Sequence, residues 1–385
     1  MIDATDERLH ARLLGRRHRD ILTARDRRAF AGTRVLVTGG GGSVGSGLAL
    51  EIARCRPMSL TIVDQSEDHL LSIERALVER QPDVDVDVVL GDVSRQRTIE
   101  LTFRRARPEV VFHAAACGHV TLCERAVCRA VRTNVFGTLY TARAAADCGA
   151  RFTLVSSDQA AQAHGVMGAT RRLAELVVLA RFSGLFRPVV VRLGSVLGSR
   201  GSLLEAVADR LRRGLPAQVA HPEATRDFMT PREAVGLVMK TTLIGEGGVI
   251  YWLDAGKPVS VLTLVRRALQ IAVQQGARPL PVEFTGLKAG ERLRVEDPGQ
   301  GLEACRTRHP GIREARQPLF DGHVVRRVLQ ALREDLRRDD AGSALMDLQA
   351  AVPGFEPSDA TWQYAFAQSV GVLPSRMTRR AASVA

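Results

Sequence analysis

The run Val35-Leu36-Val37-Thr38 passes into Gly39-Gly40-Gly41-Gly42-Ser43-Val44-Gly45-Ser46-Gly47 and leaves as Leu48-Ala49-Leu50. A β-branched strand that enters a glycine turn and emerges as a helix aims several backbone N–H groups and a helix N-terminus at one point. A diphosphate can sit there. Gly39, Gly42 and Gly45 stand at the T-G-x-x-G-x-x-G spacing, and Gly40, Gly42 and Gly45 also satisfy G-x-G-x-x-G. Such glycines serve a tight turn, the backbone's approach to the pyrophosphate, and close helix–strand packing. Ser59-Leu60-Thr61-Ile62-Val63-Asp64 reads as the next buried strand. It ends in a carboxylate about twenty residues past the loop, where a ribose hydroxyl needs an acceptor. A glycine turn without a ligand is the plain alternative, and the placed carboxylate weighs against it.

From Arg34 onward apolar strands alternate with amphipathic helices, which predicts an α/β fold: a Rossmann-type, doubly wound parallel sheet with a smaller C-terminal substrate-binding region. A helix runs from the glycine loop to about Cys55, and another spans Asp68 to Arg80. Further strands are expected over 84–90, 109–113, 151–156 and 188–193, with a long helical stretch over 120–149 and a helix over 167–184. Ligands in such sheets bind beyond the carboxyl ends of the strands. Those ends carry Asp64-Gln65-Ser66, Asp92-Val93, Ala114-Ala115-Ala116 and Ser157-Asp158-Gln159. The small side chains at 114–116 let the chain pass close beneath a cofactor, although tight packing explains them equally well. The regular alternation stops after Gly198. The expected divisions are a helical arm over 1–32, the dinucleotide domain over 33–198 with its sheet completed by later segments, a substrate-binding region over 199–352, and a solvated tail over 353–385.

With 385 residues, 45% hydrophobic and 25% charged, the chain has the composition of a globular protein. Its net charge of +12 comes from arginine, since lysine occurs only at 240, 257 and 288. The arginines are scattered among acids without an aromatic platform, so nucleic-acid binding is not expected. Cys55, Cys117, Cys123, Cys128, Cys148 and Cys305 form no C-x-x-C pair and no zinc spacing, and no metal is expected. No apolar run reaches the roughly eighteen residues of a membrane span. A soluble, cytoplasmic protein is the expectation.

Longer segments resemble one family, the extended short-chain dehydrogenase/reductases, and within it the bacterial polysaccharide-biosynthesis branch of UDP-N-acetylglucosamine 4,6-dehydratases. His113-Ala114-Ala115-Ala116-Cys117-Gly118-His119-Val120 resembles H-A-A-A-Y-K-H-V, and residues 133–138 match T-N-V-x-G-T, which includes Asn134. Gly194-Ser195-Val196-Leu197-Gly198-Ser199-Arg200-Gly201-Ser202 resembles G-N-V-L-G-S-R-G-S. Residues 221–230 resemble H-P-x-x-T-R-Y-F-M-T, and residues 286–292 resemble G-L-R-P-G-E-K. The resemblance implies bound NAD, with NADP the alternative, a UDP-sugar substrate and a homo-oligomer. The carboxylate of Asp64 favours NAD, because a 2′-phosphate would meet like charge there. The implied cofactor contacts are the glycine loop, Asp64, Gln65, Ser66, Asp92, Val93, Ala114 to Ala116, Asn134 and Arg171. The contacts expected for the sugar nucleotide are His119, Ser195, Arg200, Arg226 and Arg292; a guanidinium fork fits phosphate oxygens, which assigns the three arginines to the diphosphate, with a surface ion pair the alternative for each.

The implied chemistry moves a hydride from C4 of the sugar to nicotinamide, loses water across C5 and C6, and returns the hydride to C6. It needs a proton acceptor at C4, a base at C5 and an acid at C6. The family segments S-T-D-K-A and M-G-x-T-K-R read here Ser156-Ser157-Asp158-Gln159-Ala160 and Met167-Gly168-Ala169-Thr170-Arg171-Arg172. Ser157 and Asp158 are retained. Gln159 and Gly118 replace lysines, neither can take up a proton, and Arg171 is too basic to act as a base. Ser195 for asparagine and Asp227 for tyrosine also alter positions expected to line the sugar nucleotide. His119 and His164 are the remaining groups that titrate near neutrality, each with a structural role as the plainer reading. Two functions stay open at this point: an NAD(P)-dependent dehydratase-like or epimerase-like enzyme, and a binding partner without turnover.

Overall fold

A computed structural model describes residues 6–182, 186–254, 256–294, 297–299, 301–316 and 321–369. Helix α1 (Glu7–Leu14) is capped by the Asp6 carboxylate and closed by Gly15 in the left-handed region at φ 67°. Helix α2 (Ala24–Arg28) follows behind a Thr23–Asp26 capping box. The expected N-terminal arm is a packed part of the fold: Ile21, Leu22 and Phe30 enter the main core.

The parallel alternation then unfolds as β1 (Arg34–Thr38), α3 (Ser43–Arg54), β2 (Ser59–Asp64), α4 (Glu67–Arg80), β3 (Val86–Leu90), α5 (Gln96–Ala106) and β4 (Val110–His113). The stretch read as one long helix is broken into α6 (Val120–Glu124), α7 (Val127–Ala130), a π-helical segment over Val131–Gly137, and α8 (Thr138–Asp147). β5 (Arg151–Ser157), α9 (Val166–Arg181) and β6 (Val189–Leu193) complete this half. The final residues of the predicted 167–184 helix lie outside the described ones. In β1, Val35 and Val37 enter one core layer and Leu36 the other, all at 0–1% exposure. Burial on both faces is the signature of a parallel sheet covered by helices on each side.

The second half contributes β7 (Ser195–Val196), α10 (Leu203–Arg212), β8 (Ala217–Val219), β9 (Thr225–Arg226), β10 (Phe228–Met229), α11 (Pro231–Ile244) and β11 (Val249–Leu253). After these come β12 (Val259–Ser260), α12 (Val261–Gln274), β13 (Val282–Phe284), β14 (Ala304–Arg306) and β15 (Ile312–Arg316). β11 returns to the main sheet beside β6, giving the order β14-β15-β11-β6-β5-β4-β1-β2-β3. All pairings from β3 to β11 are parallel, and β15 and β14 run antiparallel at the far edge. The order reverses between β1 and β4, the switch point where such sheets open a crevice. There Thr38 and Thr138 hydroxyls lie 2.6 and 3.0 Å from the two ring nitrogens of His113. Full burial, aided by the nearby Arg171 charge, pushes that imidazole down to about 3, so it is neutral. A smaller core of α1, α10, α12 and the strand β8 forms the wall opposite the sheet.

The chain ends in α13 (Gly322–Arg338), α14 (Ala341–Ala351) and α15 (Asp359–Ser369), which share a core with α7 and α9. The predicted tail over 353–385 is therefore corrected in its first part. Phe355 and Ala365 are buried, and Thr361 donates to the buried carboxylate of Glu124 at 2.6 Å. Residues 370–385 lie outside the described ones. Among the described residues, no helix is long and apolar enough to cross a membrane.

Candidate active site

At the switch point a cavity of about 780 Å³ runs from the glycine loop to the second half of the chain. Gly39, Gly42, Ser43, Val44 and Gly45 form one end of its lining. Gly39 is in the left-handed region at φ 65°, and a Cβ on it would lie 2.5 Å from the Ala115 amide nitrogen. A Cβ on Gly45 would lie 2.0 Å from the Gly39 carbonyl oxygen. Both positions thus require glycine for close approach. Helix α3 starts at Gly42, which offers no side-chain cap, so its first amides face the cavity as donors for an anion. The Asp64 carboxylate accepts from the Gly41 and Ser66 amides, each at 3.0 Å, which fixes it beside the loop.

The middle of the cavity is lined by Ala114, Ala116, Gly118, His119, Ser157, Asp158, Gln159, Met167 and Arg171. Ser157 donates to one oxygen of Asp158 at 2.9 Å, and the Gln159 amide donates back to the serine oxygen at 3.3 Å. Gly168 lets α9 press onto this corner, since a Cβ there would lie 2.6 Å from the Gln159 carbonyl. The Arg171 guanidinium is 7% exposed, and its Nε and one terminal nitrogen have no hydrogen-bond partner. Burial pushes it down to about 10. Two buried, unsatisfied donors cost free energy unless a ligand's acceptors meet them. A dinucleotide's phosphate and ribose oxygens fit this donor set, so cradle and guanidinium are matched to that group.

The other wall brings Ser195, Arg200, Arg226, Lys288 and Arg292 to the cavity. The three arginines do different things. The Arg200 guanidinium reaches back to the Gly41 carbonyl while its amide donates to Ser43 Oγ at 2.9 Å, which puts it at the glycine loop. Arg226 donates to the carbonyls of Thr225 and Arg292, each at 2.7 Å, and to that of Leu293 at 3.4 Å. Arg292 approaches Asp158, with 3.6 Å between guanidinium nitrogen and carboxylate oxygen. Arg226 and Phe228 line the cavity, and Asp227, at the break between β9 and β10, does not. One Asp227 oxygen is buried without a partner, and burial, followed by the Asp158 charge, pushes the carboxyl up to about 6.

Several expected contacts lie outside the cavity lining. Asp64 is the last residue of β2, Gln65 and Ser66 follow it, Asp92 and Val93 sit beyond the end of β3, and Ala115 lies under the Gly39 turn. Asn134 is fully buried and bonds the Cys117 amide and carbonyl and the Thr170 hydroxyl, so it shapes the 114–119 segment. His164 is exposed and away from the cavity. Sequence reasoning missed the trio under the Ser157–Asp158 corner: Ser156 donates to Glu175 at 2.7 Å, and Arg192 clamps that carboxylate at 2.9 and 2.7 Å. The available signal was an arginine inside the strand Val189-Val190-Val191-Arg192-Leu193, where a charge needs a buried partner.

The strand order and the glycine cradle define a Rossmann-type α/β protein with a preformed anion site at the switch point. Residues 35–309 match the family described as polysaccharide biosynthesis protein. The chain belongs to that family. It is 34% identical over 288 residues to the capsular polysaccharide biosynthesis protein CapD of Staphylococcus aureus, and 35% identical over 288 residues to the probable polysaccharide biosynthesis protein EpsC of Bacillus subtilis. Each match covers 74% of this chain and 48% of the relative, so the chain spans about half the length of these two curated relatives. Among solved structures, Pen from Bacillus thuringiensis superposes with a TM-score of 0.68 at 24% identity, covering 76% of this chain and 90% of that one. A Thermus thermophilus UDP-glucose 4-epimerase in complex with NAD gives 0.58 at 21% identity, covering 69% and 90%. These two structural likenesses bear on the fold.

Proposed function

We propose that this protein is an NAD-dependent enzyme that modifies a nucleotide sugar for polysaccharide biosynthesis, through oxidation at C4 of a UDP-hexosamine. One observation carries this: Ser157, Asp158 and the unsatisfied donors of Arg171 face the same cavity as the glycine cradle. When bound, the nicotinamide supplies the acceptor for the hydride leaving C4. The amides at the start of α3 would hold its diphosphate, Asp64 its adenosine ribose and Arg171 the ribose next to the nicotinamide. Asp64 places a carboxylate where a 2′-phosphate would be repelled, which favours NAD over NADP. Ser157, bonded to Asp158, orients the C4 hydroxyl and passes its proton to the carboxylate.

The family resemblance favours continuation to a 4,6-dehydratase-like cycle. Gln159 and Gly118 favour a second reading, a C4 epimerase or oxidoreductase, because neither provides the base that takes the C5 proton. Incubation of the purified protein with NAD and UDP-N-acetylglucosamine, followed by mass spectrometry and proton NMR of the sugar product, separates them. Loss of one water marks the dehydratase, and an isomer of unchanged mass marks the epimerase. An Asp158→Asn variant is expected to lose roughly 10²- to 10⁴-fold in kcat. Absence of keto-sugar, epimer and reduced nicotinamide with the wild-type protein would overturn the enzymatic reading and leave a binding protein.

A further inference from the structure

The catalytic corner lacks a lysine from its own strand, and a cation reaches it from elsewhere. Gln159 is neutral, and the position a side chain on Gly118 would fill has no atom within 4 Å. Into this corner comes Arg292, whose side chain is 5% exposed and whose guanidinium lies 3.6 Å from Asp158 Oδ2. Asp158 Oδ1 meanwhile accepts from Ser157. We propose that Arg292 supplies the positive charge of the catalytic corner, in place of the absent lysines, and keeps Asp158 poised as the proton acceptor for the C4 hydroxyl.

The assignment rests on the nucleotide-sugar reading above and deepens it. The sequence reading assigns Arg226 and Arg292 together to a diphosphate, whereas the geometry divides them. Arg226 is spent on three carbonyls, one of them that of Arg292 itself, so it pins the backbone from which Arg292 projects. Arg292 is then held rather than searching. A guanidinium does not release its proton at working pH, so Arg292 acts through charge alone. Oxidation at C4 breaks the C–H bond with its electron pair leaving to the nicotinamide. It also breaks the O–H bond, with its proton passing to Asp158. Negative charge builds on the C4 oxygen as that proton leaves, and a fixed cation beside it stabilises that charge.

The test compares Arg292→Gln with Arg292→Lys in the full-length protein, loaded with NAD, using UDP and UDP-N-acetylglucosamine as ligands. Arg292→Gln is expected to lower kcat by about 10²- to 10³-fold, to leave the calorimetric Kd for UDP within about twofold, and to remove the extra affinity for the sugar nucleotide over UDP. Arg292→Lys is expected to recover at least a tenth of kcat. A rise of tenfold or more in the Kd for UDP, with kcat retained, would make Arg292 a diphosphate ligand and overturn the proposal. A wild-type protein that binds UDP-N-acetylglucosamine no better than UDP would instead overturn the nucleotide-sugar reading, and this proposal with it.

Discussion

At the scale of single residues, the glycine loop was legible because its function is borne by backbone. A Cβ at position 45 would overlap the Gly39 carbonyl, a main-chain atom that cannot turn aside as a flexible side chain can. Gly45→Ala is accordingly expected to raise the Kd for NAD by at least about tenfold, or about 1.4 kcal/mol, in a fluorescence titration. Ser157 and Asp158 were legible for a related reason: they end a buried strand at the mouth of the sheet. The individual tasks of Arg200, Arg226 and Arg292 were not. All three are arginines in loops or short strands, and only the three-dimensional path decides whether a guanidinium meets a carbonyl or Asp158. Asp227 shows the same limit, since it falls at the break between β9 and β10 and stays out of the wall that its neighbours form.

At the scale of elements, β5, α9 and β6 are locked by the trio Ser156, Glu175 and Arg192. Burial alone would push the Glu175 carboxyl up; the Arg192 charge and its hydrogen bonds, with those of Arg172 and Ser156, outweigh it and bring the carboxyl below its ordinary value. A carboxyl lowered by folding adds stability above its unfolded pKa, and that stability is lost as pH falls through the folded value. Glu175→Gln leaves Arg192, 1% exposed, without a counter-charge, and is expected to cost about 3–5 kcal/mol in urea unfolding at neutral pH. Replacing both with apolar residues of similar volume is expected to recover most of that loss. β1, β2, β4, β5 and β6 were readable because burial on both faces yields nearly continuous apolar runs, and the half-exposed edge strand β3 because valine alternates with aspartate along it. The break in the helices between β4 and β5 was not, because apolar spacing continues through the π-helical turn that carries Asn134.

At the scale of the whole molecule, the C-terminal helices are part of one core. Polar spacing near Gly354 reads as a solvated tail, yet Phe355 is 2% exposed in the cluster that also holds Val166 and Leu173 of α9. Phe355→Ala is therefore expected to cost about 3–5 kcal/mol, visible as a lowered urea midpoint with an unchanged slope.

The hold of Arg200 on Gly41 and Ser43 has a structural consequence. It ties the second half of the chain to the first directly beside the cradle, through one side chain and one amide. The two hydrogen bonds, each worth about 1 kcal/mol net, border the end of the cavity formed by the glycine loop. Turning the Arg200 side chain away would break only the guanidinium bond to Gly41, while the amide bond to Ser43 would still join the two halves beside the cradle.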